Sequence, residues 1–374
     1  MEKILNPTVA EVNLNAFKFN LRTTKKIVGD SEILAIVKAN AYGHGILKIS
    51  ETAVDEGIKY LGVATLEEAV KLRENGISVH ILILTPLLKE EIETACNYDA
   101  DLTVASYDNA VDISRIAQKL KKRVKVHIKI DSGLGRYGID YKDAVKTIEK
   151  IALLRNIKLQ GVYTHFSESY KIKVGFAKVQ IERFLNVVEG LNKINLEIPY
   201  KHSANSGAII NFPEPHLNMV RPGIMLYGYL PSRDMNTNTK LKPVMTLKSK
   251  VVQVRELEKG SPVSYSRTFI TKNKTRIALV PCGYYDGINR LLSNNYNVLI
   301  NGKKCRGIGT VCMNVTVFDI GLDNIVSTGD EVVFFGSQKE NNISIYNICE
   351  KLNTIPYEVL CWISPLIPRV YTDE

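Results

Sequence analysis

The sequence predicts an α/β protein in which a (β/α)8 barrel of the TIM type is followed by a mainly antiparallel β domain. Short apolar runs, most of them separated by segments of helical period, recur through the first 225 residues. Beyond about residue 240 the pattern changes to the period-two alternation of exposed strands. The length of 374 residues and the hydrophobic content of 45% are sufficient for two domains.

Eight apolar runs predict the strands of the barrel, and segments 66–75 and 144–154 are examples of the helices between them. A doubly wound sheet is the alternative, but it would need a Gly-x-Gly-x-x-Gly turn after the first strand, which the sequence lacks. We place the barrel at residues 10–240 and the β domain at 241–374, and an N-terminal strand over residues 1–9 is a candidate to pack with the latter. The predicted strands are Ile33–Val37, Tyr60–Ala64, His80–Leu84, Leu102–Ala105, Val124–Ile130, Leu159–Thr164, Tyr200–Ser203 and Leu217–Val220.

In the second domain, residues 248–254 and 298–300 alternate as strands do. Asn301-Gly302 predicts a tight hairpin, and a turn is expected at 258–260. A helix over 344–352 opens with a serine, which is a favoured helix cap.

Charge and composition favour an ordinary soluble protein that binds no nucleic acid. The formal charge is +10, but its densest cluster, residues 119–123, follows a helical segment and carries no interleaved aromatic residues, so it predicts a solvated helix end. The N-terminus lacks the apolar core of a signal peptide, and no run approaches the ~18 apolar residues of a membrane span. The six cysteines show no metal-ligand spacing. We therefore expect a cytoplasmic protein with free thiols and no metal.

Lys38 lies where the first apolar strand stops and a glycine-bearing loop starts. A desolvated lysine at such a position can lose its proton near neutral pH and form a Schiff base with a carbonyl cofactor, above all pyridoxal phosphate. The common alternative is a lysine whose amine extends to water. The local pattern leaves both open.

Polar residues gather at the predicted carboxyl ends of the barrel strands, where barrel enzymes place their chemistry. The loops after strands seven and eight contain Asn205-Ser-Gly and Arg221-Pro-Gly-Ile, whose small residues would let backbone N–H groups approach a phosphate. The residues that the strand ends supply, all polar except Leu84, are Lys38, Leu84, Lys129, Asp131, Arg136, His165, Ser206 and Arg221. This set is too polar to serve stability alone.

Nine motifs, in order along nearly the whole chain, resemble those of the alanine racemase family of pyridoxal-phosphate enzymes. The resemblance implies interconversion of L- and D-alanine by a two-base mechanism, which supplies D-alanine for peptidoglycan. The motifs are 35–45 (Ala-Ile-Val-Lys-Ala-Asn-Ala-Tyr-Gly-His-Gly), 129–136, 164–166, 205–206, 221–228, 263–265, 283–287, 311–313 and 356–358.

The resemblance also implies a role for each residue. Lys38 would hold the cofactor and act as a base on one face of the α-carbon, with Tyr265 as the base on the other. Arg136 and His165 would give the tyrosine cationic help. The implied cofactor ligands are Lys38, Tyr42, His165, Ser206, Arg221 (facing the ring nitrogen), Gly223, Ile224 and Tyr357; Arg136 and Met313 would bind substrate, with Lys129 (carbamylated in many members) and Tyr284 in support.

Three of these residues have plainer interpretations. Tyr265 is equally compatible with an aromatic residue of a β-strand, and Arg221 with an ion pair at the barrel rim. For Lys129 the plainer interpretation is an unmodified lysine paired with Asp131 or another acid.

In the family Tyr265 and Met313 reach the cofactor of the partner subunit, so a homodimer with shared active sites is implied. The chain departs from the family pattern at 167–170, at Thr310 in place of arginine, at Asn314-Val315 and at Leu366. These changes bear on substrate choice, and a serine racemase, in some cases the cytosolic domain of a membrane-anchored protein, is the alternative; Tyr357 favours alanine. A non-catalytic pyridoxal-phosphate barrel would lack the second domain, and a related decarboxylase would carry a Gly-Gly-Gly loop that is absent here.

Overall fold

A computed structural model describes residues 5–171, 175–233, 235 and 237–373. The chain forms two compact units. Lys18–Ala41 and Ile46–Lys242 make up the first, which we call the barrel unit. The second, the β unit, contains Tyr42–Gly45, the residues from Pro243 onward and the N-terminal residues through Phe17. The domain division predicted at residues 240 and 241 stays a prediction.

The barrel unit contains a closed barrel of eight parallel strands, which confirms the predicted fold class. Each strand pairs with the next, and the eighth pairs with the first, so no strand edge is left open. In order, barrel strands one to eight are Glu32–Ile36, Tyr60–Val63, His80–Ile83, Asp101–Val104, Val124–Asp131, Ile157–Tyr163, Tyr200–Asn205 and Met219–Arg221. A short strand, Ile139–Asp140, pairs in parallel with the end of the fifth.

Helices alternate with the barrel strands, and a serine or threonine cap fixes where two of them begin. Ser106 Oγ accepts from Asn109 N and Thr65 Oγ1 accepts from Glu68 N. The helices are Leu14–Val28, Ile46–Asp55, Leu66–Glu74, Lys89–Asn97, Tyr107–Lys119, Ala144–Ala152, Gly175–Lys193 and Ser206–Asn211. The basic cluster at 119–123 follows the end of one of them, as predicted.

The β unit is built on a ten-stranded sheet in which the strand pairs are antiparallel except for Val9–Asn13 with Arg369–Thr372. Its other strands are Met245–Lys250, Gln253–Leu257, Thr275–Val280, Asn297–Ile300, Lys303–Gly307, Thr316–Asp319, Glu331–Gln338 and Asn341–Ile343. A separate hairpin joins Pro262–Val263 to Phe269–Ile270, and two helices span Ile345–Leu352 and Pro356–Trp362.

Two local predictions in the β unit are confirmed and one is wrong. Ile300 pairs with Lys303 across Asn301-Gly302, and Ser344 caps the late helix. The strand predicted over 248–254 is two strands, because the chain changes partner: Val251 N donates to Asp330 O and Val252 N to Leu279 O. The two successive valines break the strict alternation on which a single strand would depend.

None of the helices in the described part of the chain is long and apolar enough to cross a membrane.

Candidate active site

The residues after barrel strand one adopt a strained conformation. The strand is buried and ends at Ile36, and Lys38, partly buried, opens a turn in which Ala39, Asn40 and Ala41 have left-handed φ/ψ angles near (54°, 51°), (53°, 45°) and (53°, 52°). Left-handed residues other than glycine cost about 1–2 kcal/mol each. The turn that carries Lys38 therefore needs contacts that hold it.

Asn40 and Glu68 provide those contacts. Asn40 N donates to Glu68 Oε1 at 3.2 Å, and Glu68 Oε2 accepts from Ala64 N at 2.8 Å. Asn40 Oδ1 accepts from Ile46 N at 2.9 Å, at the start of the next helix. The turn is thus bonded to the end of strand two and to the helix on each side of it.

Arg221 ends barrel strand eight and is almost completely buried, at 4% exposure. Its guanidinium donates to the carbonyls of Thr164 (2.5 Å), His202 (2.8 Å) and Ser203 (3.1 Å). Burial lowers its pKa to about 10, so it remains a cation at neutral pH. Among the described residues, none accepts a hydrogen bond from Arg221 Nε, which leaves that donor for a ligand.

Arg221 also fixes the protonation of two histidines. A guanidinium only donates, so His202 Nδ1 (3.0 Å) and His165 Nδ1 (3.4 Å) must accept from it. His202 Nε2 then carries the hydrogen and donates to His127 Nδ1 at 2.9 Å. Burial and the charge of Arg221 hold the pKa values of His165 and His202 well below the usual range, so both imidazoles are neutral.

His127 occupies space that only a glycine leaves open. A Cβ on Gly161 would lie 2.2 Å from His127 Nδ1, at the point where the register between strands five and six shifts. Burial lowers the pKa of His127 to about 4. Sequence reasoning missed both His127 and His202; the available signal was one imidazole within each of two predicted strands.

Lys129 lies inside the barrel with 2% exposure. Its Nζ donates to Ile130 O at 3.0 Å and lies 5.2 Å from the centre of the Tyr163 ring. Burial and the positive charges of Arg221 and Arg136 lower its pKa to about 7, against the opposing effect of Asp131. Among the described residues no carboxylate lies within ion-pair distance of this amine, so the ion pair proposed as the plainer interpretation is not formed.

Asp131 instead organises the loop that leads to Arg136. Its carboxylate accepts hydrogen bonds from the backbone N–H groups of residues 133–136, at 2.8 to 3.3 Å. Burial would raise the pKa of Asp131, but these bonds and the Lys129 charge outweigh it and lower the pKa. The Arg136 side chain is exposed and its guanidinium carbon lies 5.0 Å from the centre of the Tyr137 ring.

The loops after strands seven and eight meet at Ser206. Ser206 Oγ accepts from Gly223 N at 2.9 Å and from Met225 N at 3.4 Å. Ile224 is buried and begins the short 3-10 turn Ile224–Tyr227. The structure thus brings together Ser206, Gly223 and Ile224, which the sequence predicted as one phosphate site.

The β unit holds the other predicted residues. The ring centroids of Tyr42 and Tyr357 lie 5.9 Å apart, and burial raises the pKa of both hydroxyls. Tyr284 N donates to Cys312 O, which fastens the 283–287 loop to the 311–313 segment. Tyr265, Met313 and Tyr284 are exposed at 69%, 53% and 43%. Among the described residues none accepts a hydrogen bond from Met313 N. This N–H group is therefore available to a ligand.

Barrel enzymes that bind a phosphorylated ligand have this arrangement. It consists of a closed barrel, a lysine at a strand end, a buried arginine and two loops of small residues that meet after strands seven and eight. Among the described residues no cluster of three or more potential metal ligands is present. Residues 12–231 match the sequence model described as alanine racemase, N-terminal domain, and residues 244–371 match the one described as alanine racemase, C-terminal domain. The chain belongs to the alanine racemase family.

Individual relatives agree over the full length. An alanine racemase of Halothermothrix orenii is 42% identical, covering 100% of this chain and 99% of the relative, and alanine racemase 2 of Caldanaerobacter subterraneus is 43% identical, covering 98% and 95%. A solved alanine racemase of Clostridium difficile superposes with a TM-score of 0.95 at 37% identity, covering 99% and 97% of the two chains. One from Bacillus anthracis with bound L-Ala-P gives 0.93 at 33% identity, covering 99% and 96%.

Proposed function

We propose that this protein interconverts L- and D-alanine with pyridoxal phosphate, as a cytoplasmic homodimer that supplies D-alanine for peptidoglycan. The observation that carries the proposal is the full-length match, through both domains, to relatives named as alanine racemases. The serine alternative is not favoured, because the relatives and solved structures described above all carry the alanine name.

The residues of the barrel unit fit pyridoxal phosphate. Ser206 and the backbone of Gly223 and Ile224 would hold the phosphate, since small residues and N–H groups converge there. The free Nε–H of buried Arg221 would face the ring nitrogen, and Lys38 would bind the aldehyde carbon. Tyr42 and Tyr357 belong to the β unit, and we assign them to cofactor binding on the resemblance of their motifs.

When bound, pyridoxal phosphate supplies the electron-withdrawing ring that makes the α-hydrogen of an amino acid acidic enough to remove. Racemisation then needs a proton acceptor on one face and a proton donor on the other. We assign these roles to Lys38 Nζ and Tyr265 Oη. Each would accept the proton in one direction of the reaction and return it in the other.

We assign the cationic help for Tyr265 to Arg136 alone, whereas the resemblance implies both Arg136 and His165. His165 is neutral because burial and nearby cations oppose its protonation, so it can offer an N–H but no positive charge. The cationic help would come from Arg136, with the Met313 N–H binding the substrate carboxylate. Arg221, held as a cation by three carbonyls, would disfavour protonation of the ring nitrogen and thereby limit side reactions.

The test is steady-state racemisation of alanine and serine side by side, with Lys38→Ala and Tyr265→Phe as variants. We expect alanine to be the better substrate by kcat/KM. Lys38→Ala should abolish turnover, and Tyr265→Phe should lower kcat by about 10²–10⁴-fold, as for loss of a general acid–base group. Higher kcat/KM for serine would transfer the assignment to serine, and failure of the wild type to develop visible absorbance with the cofactor would refute the proposal.

A further inference from the structure

The backbone around Tyr265 is strained on both sides. Ser264 has φ 62° and ψ −171°, a region that is populated almost only by glycine, and Ser266 and Arg267 also have positive φ angles of 60° and 49°. The Tyr265 side chain between them is 69% exposed, so packing around its ring does little to aim it. Its direction must come from the backbone, and the strained backbone must be held by something else.

Thr310 contacts this backbone in two places. Its hydroxyl donates to the carbonyl oxygen of Tyr265 at 3.0 Å, and its own carbonyl accepts from Ser264 Oγ at 2.6 Å. Thr310 is only 6% exposed, so water does not easily replace these bonds. Thr310 therefore holds both Tyr265 and Ser264, whose backbone is the most strained of the turn.

A second layer fixes Thr310 itself. The Thr310 hydroxyl has one hydrogen, which Tyr265 O accepts, so the Thr268 hydroxyl must donate to Thr310 Oγ1 at 3.3 Å. Asn294 Nδ2 donates to Thr268 Oγ1 at 3.1 Å, while Asn294 Oδ1 accepts from Gly309 N at 2.6 Å. A Cβ on Gly309 would lie 2.8 Å from Ser264 Cβ, so the two segments are in close contact.

We propose that Thr310 is the positioning residue for Tyr265, acting through the Tyr265 carbonyl and Ser264 to hold the strained turn in the one conformation that directs the phenol toward substrate. The inference rests on the proposed function for Tyr265. It gives a purpose to Thr310, a position where the chain departs from the arginine common in the family.

The test uses the full chain with Thr310→Val, which removes the hydroxyl at nearly constant shape, and Thr310→Ser, which keeps it. Thr275→Val is the matched control, because Thr275 is another buried threonine of the β unit, whose hydroxyl donates to Asp319 Oδ1 at 2.6 Å and not to a residue of the Tyr265 turn. For Thr310→Val we expect kcat/KM for alanine to fall about ten- to a hundredfold. Thr310→Ser should stay within about threefold of wild type, and Thr275→Val should do the same.

Isotope effects separate positioning from a general loss of folded enzyme. With α-deuterated alanine, Thr310→Val should raise the isotope effect on kcat/KM for the enantiomer deprotonated by Tyr265 and lower it for the other, because only one proton transfer is slowed. A smaller folded fraction would change neither. Equal isotope effects to wild type, or an activity loss no larger than that of Thr275→Val, would overturn the inference.

Hydrogen exchange gives a readout that is independent of turnover. In the protein as purified, Thr310→Val should speed amide exchange in a peptide covering 262–270 and leave peptides from the barrel unchanged. Unchanged exchange there would reject the holding role even if activity fell. If the wild type failed to racemise alanine, the proposed function would fail, while this measurement would still decide whether Thr310 holds the turn.

Discussion

Positive charge dominates the residues at the carboxyl ends of the barrel strands. Arg221 is buried beside Lys129 with carbonyl oxygens as its partners, so neither charge is neutralised by a neighbouring carboxylate. Positive charges buried in this way favour the deprotonated form of any neighbouring group that can lose its proton. Burial is the larger cause and these charges add to it, so His165 and His202 are neutral and the pKa of Lys129 falls to about 7.

The depressed pKa of Lys129 predicts that it reacts with carbon dioxide. In the usual range a lysine amine is protonated below about pH 10 and unreactive, whereas Lys129 becomes a free amine as the pH rises through about 7. Its nitrogen lone pair would bond to the carbon of CO₂, the electron pair of one C=O π bond would move to its oxygen, and the nitrogen would release a proton. The carbamate formed would carry a negative charge between Arg136 and Arg221.

We expect wild-type protein equilibrated with ¹³CO₂ to show a carbamate resonance that grows between pH 6 and 8 at constant dissolved CO₂. The growth should be on the order of a hundredfold per pH unit below the pKa, where the ammonium releases two protons on forming the carbamate, and tenfold per unit above it. Lys129→Ala is the variant that should lack the signal. A resonance that appears only above about pH 9, as for surface lysines, would contradict the low pKa.

Single residues were predictable where strand ends and motifs combine. Lys38, Lys129, His165, Ser206 and Arg221 were all expected at the mouth of the barrel because the carboxyl ends of parallel strands must meet there. The neutral state of His165 was not predictable. It depends first on how deeply the imidazole is buried and then on its distances to four cations, and a sequence carries neither quantity.

At the scale of elements, the turn that carries Lys38 was the feature most hidden from the sequence. Ala39, Asn40, Ala41 and Tyr42 all have positive φ angles, although none is glycine and only asparagine tolerates that region well. The apolar runs revealed all eight barrel strands because burial on both faces leaves a continuous signal. A left-handed turn leaves no such signal in the sequence when tertiary contacts enforce it. Here the contact comes from Glu68.

This strain predicts an unusual response to glycine at the exposed residue Ala39. In Ala39→Gly the relief of the left-handed strain, about 1–2 kcal/mol, should equal or exceed the entropy that glycine adds to the unfolded chain, about 0.5–1 kcal/mol. We expect its unfolding free energy to stay level or to rise by up to about 1.5 kcal/mol.

Ala152→Gly is the control, since Ala152 is the exposed last residue of the ordinary helix Ala144–Ala152 and should lose up to about 0.5 kcal/mol, less than an interior helix position would. Urea unfolding of both variants gives the comparison. Equal destabilisation of the two would show that Ala39 carries no strain.

For the whole molecule, the exposed residues of the β unit motivate a second subunit. Tyr265, Met313 and Leu366 are more than half exposed although the resemblance gives the first two a role in the active site. Exposed apolar side chains near functional groups are typical of an interface. We therefore propose an isologous dimer in which each active site takes Lys38 from one chain and Tyr265 from the other.

A shared site predicts that two inactive variants restore activity when they are mixed. Lys38→Ala and Tyr265→Phe each inactivate both sites of their own dimers, but a mixed dimer has one site with both native residues and one with neither. If subunits exchange at random, half of the dimers are mixed and about a quarter of wild-type activity should return.

The measurement is alanine racemisation after co-refolding, with light scattering to confirm the dimer. The control is the double variant Lys38→Ala/Tyr265→Phe mixed with wild type. In that control the mixed dimers should have no intact site, so activity should fall below the wild-type share of sites. If each site instead used Lys38 and Tyr265 of one chain, mixing the single variants would restore nothing, and the control would retain activity in proportion to its wild-type chains.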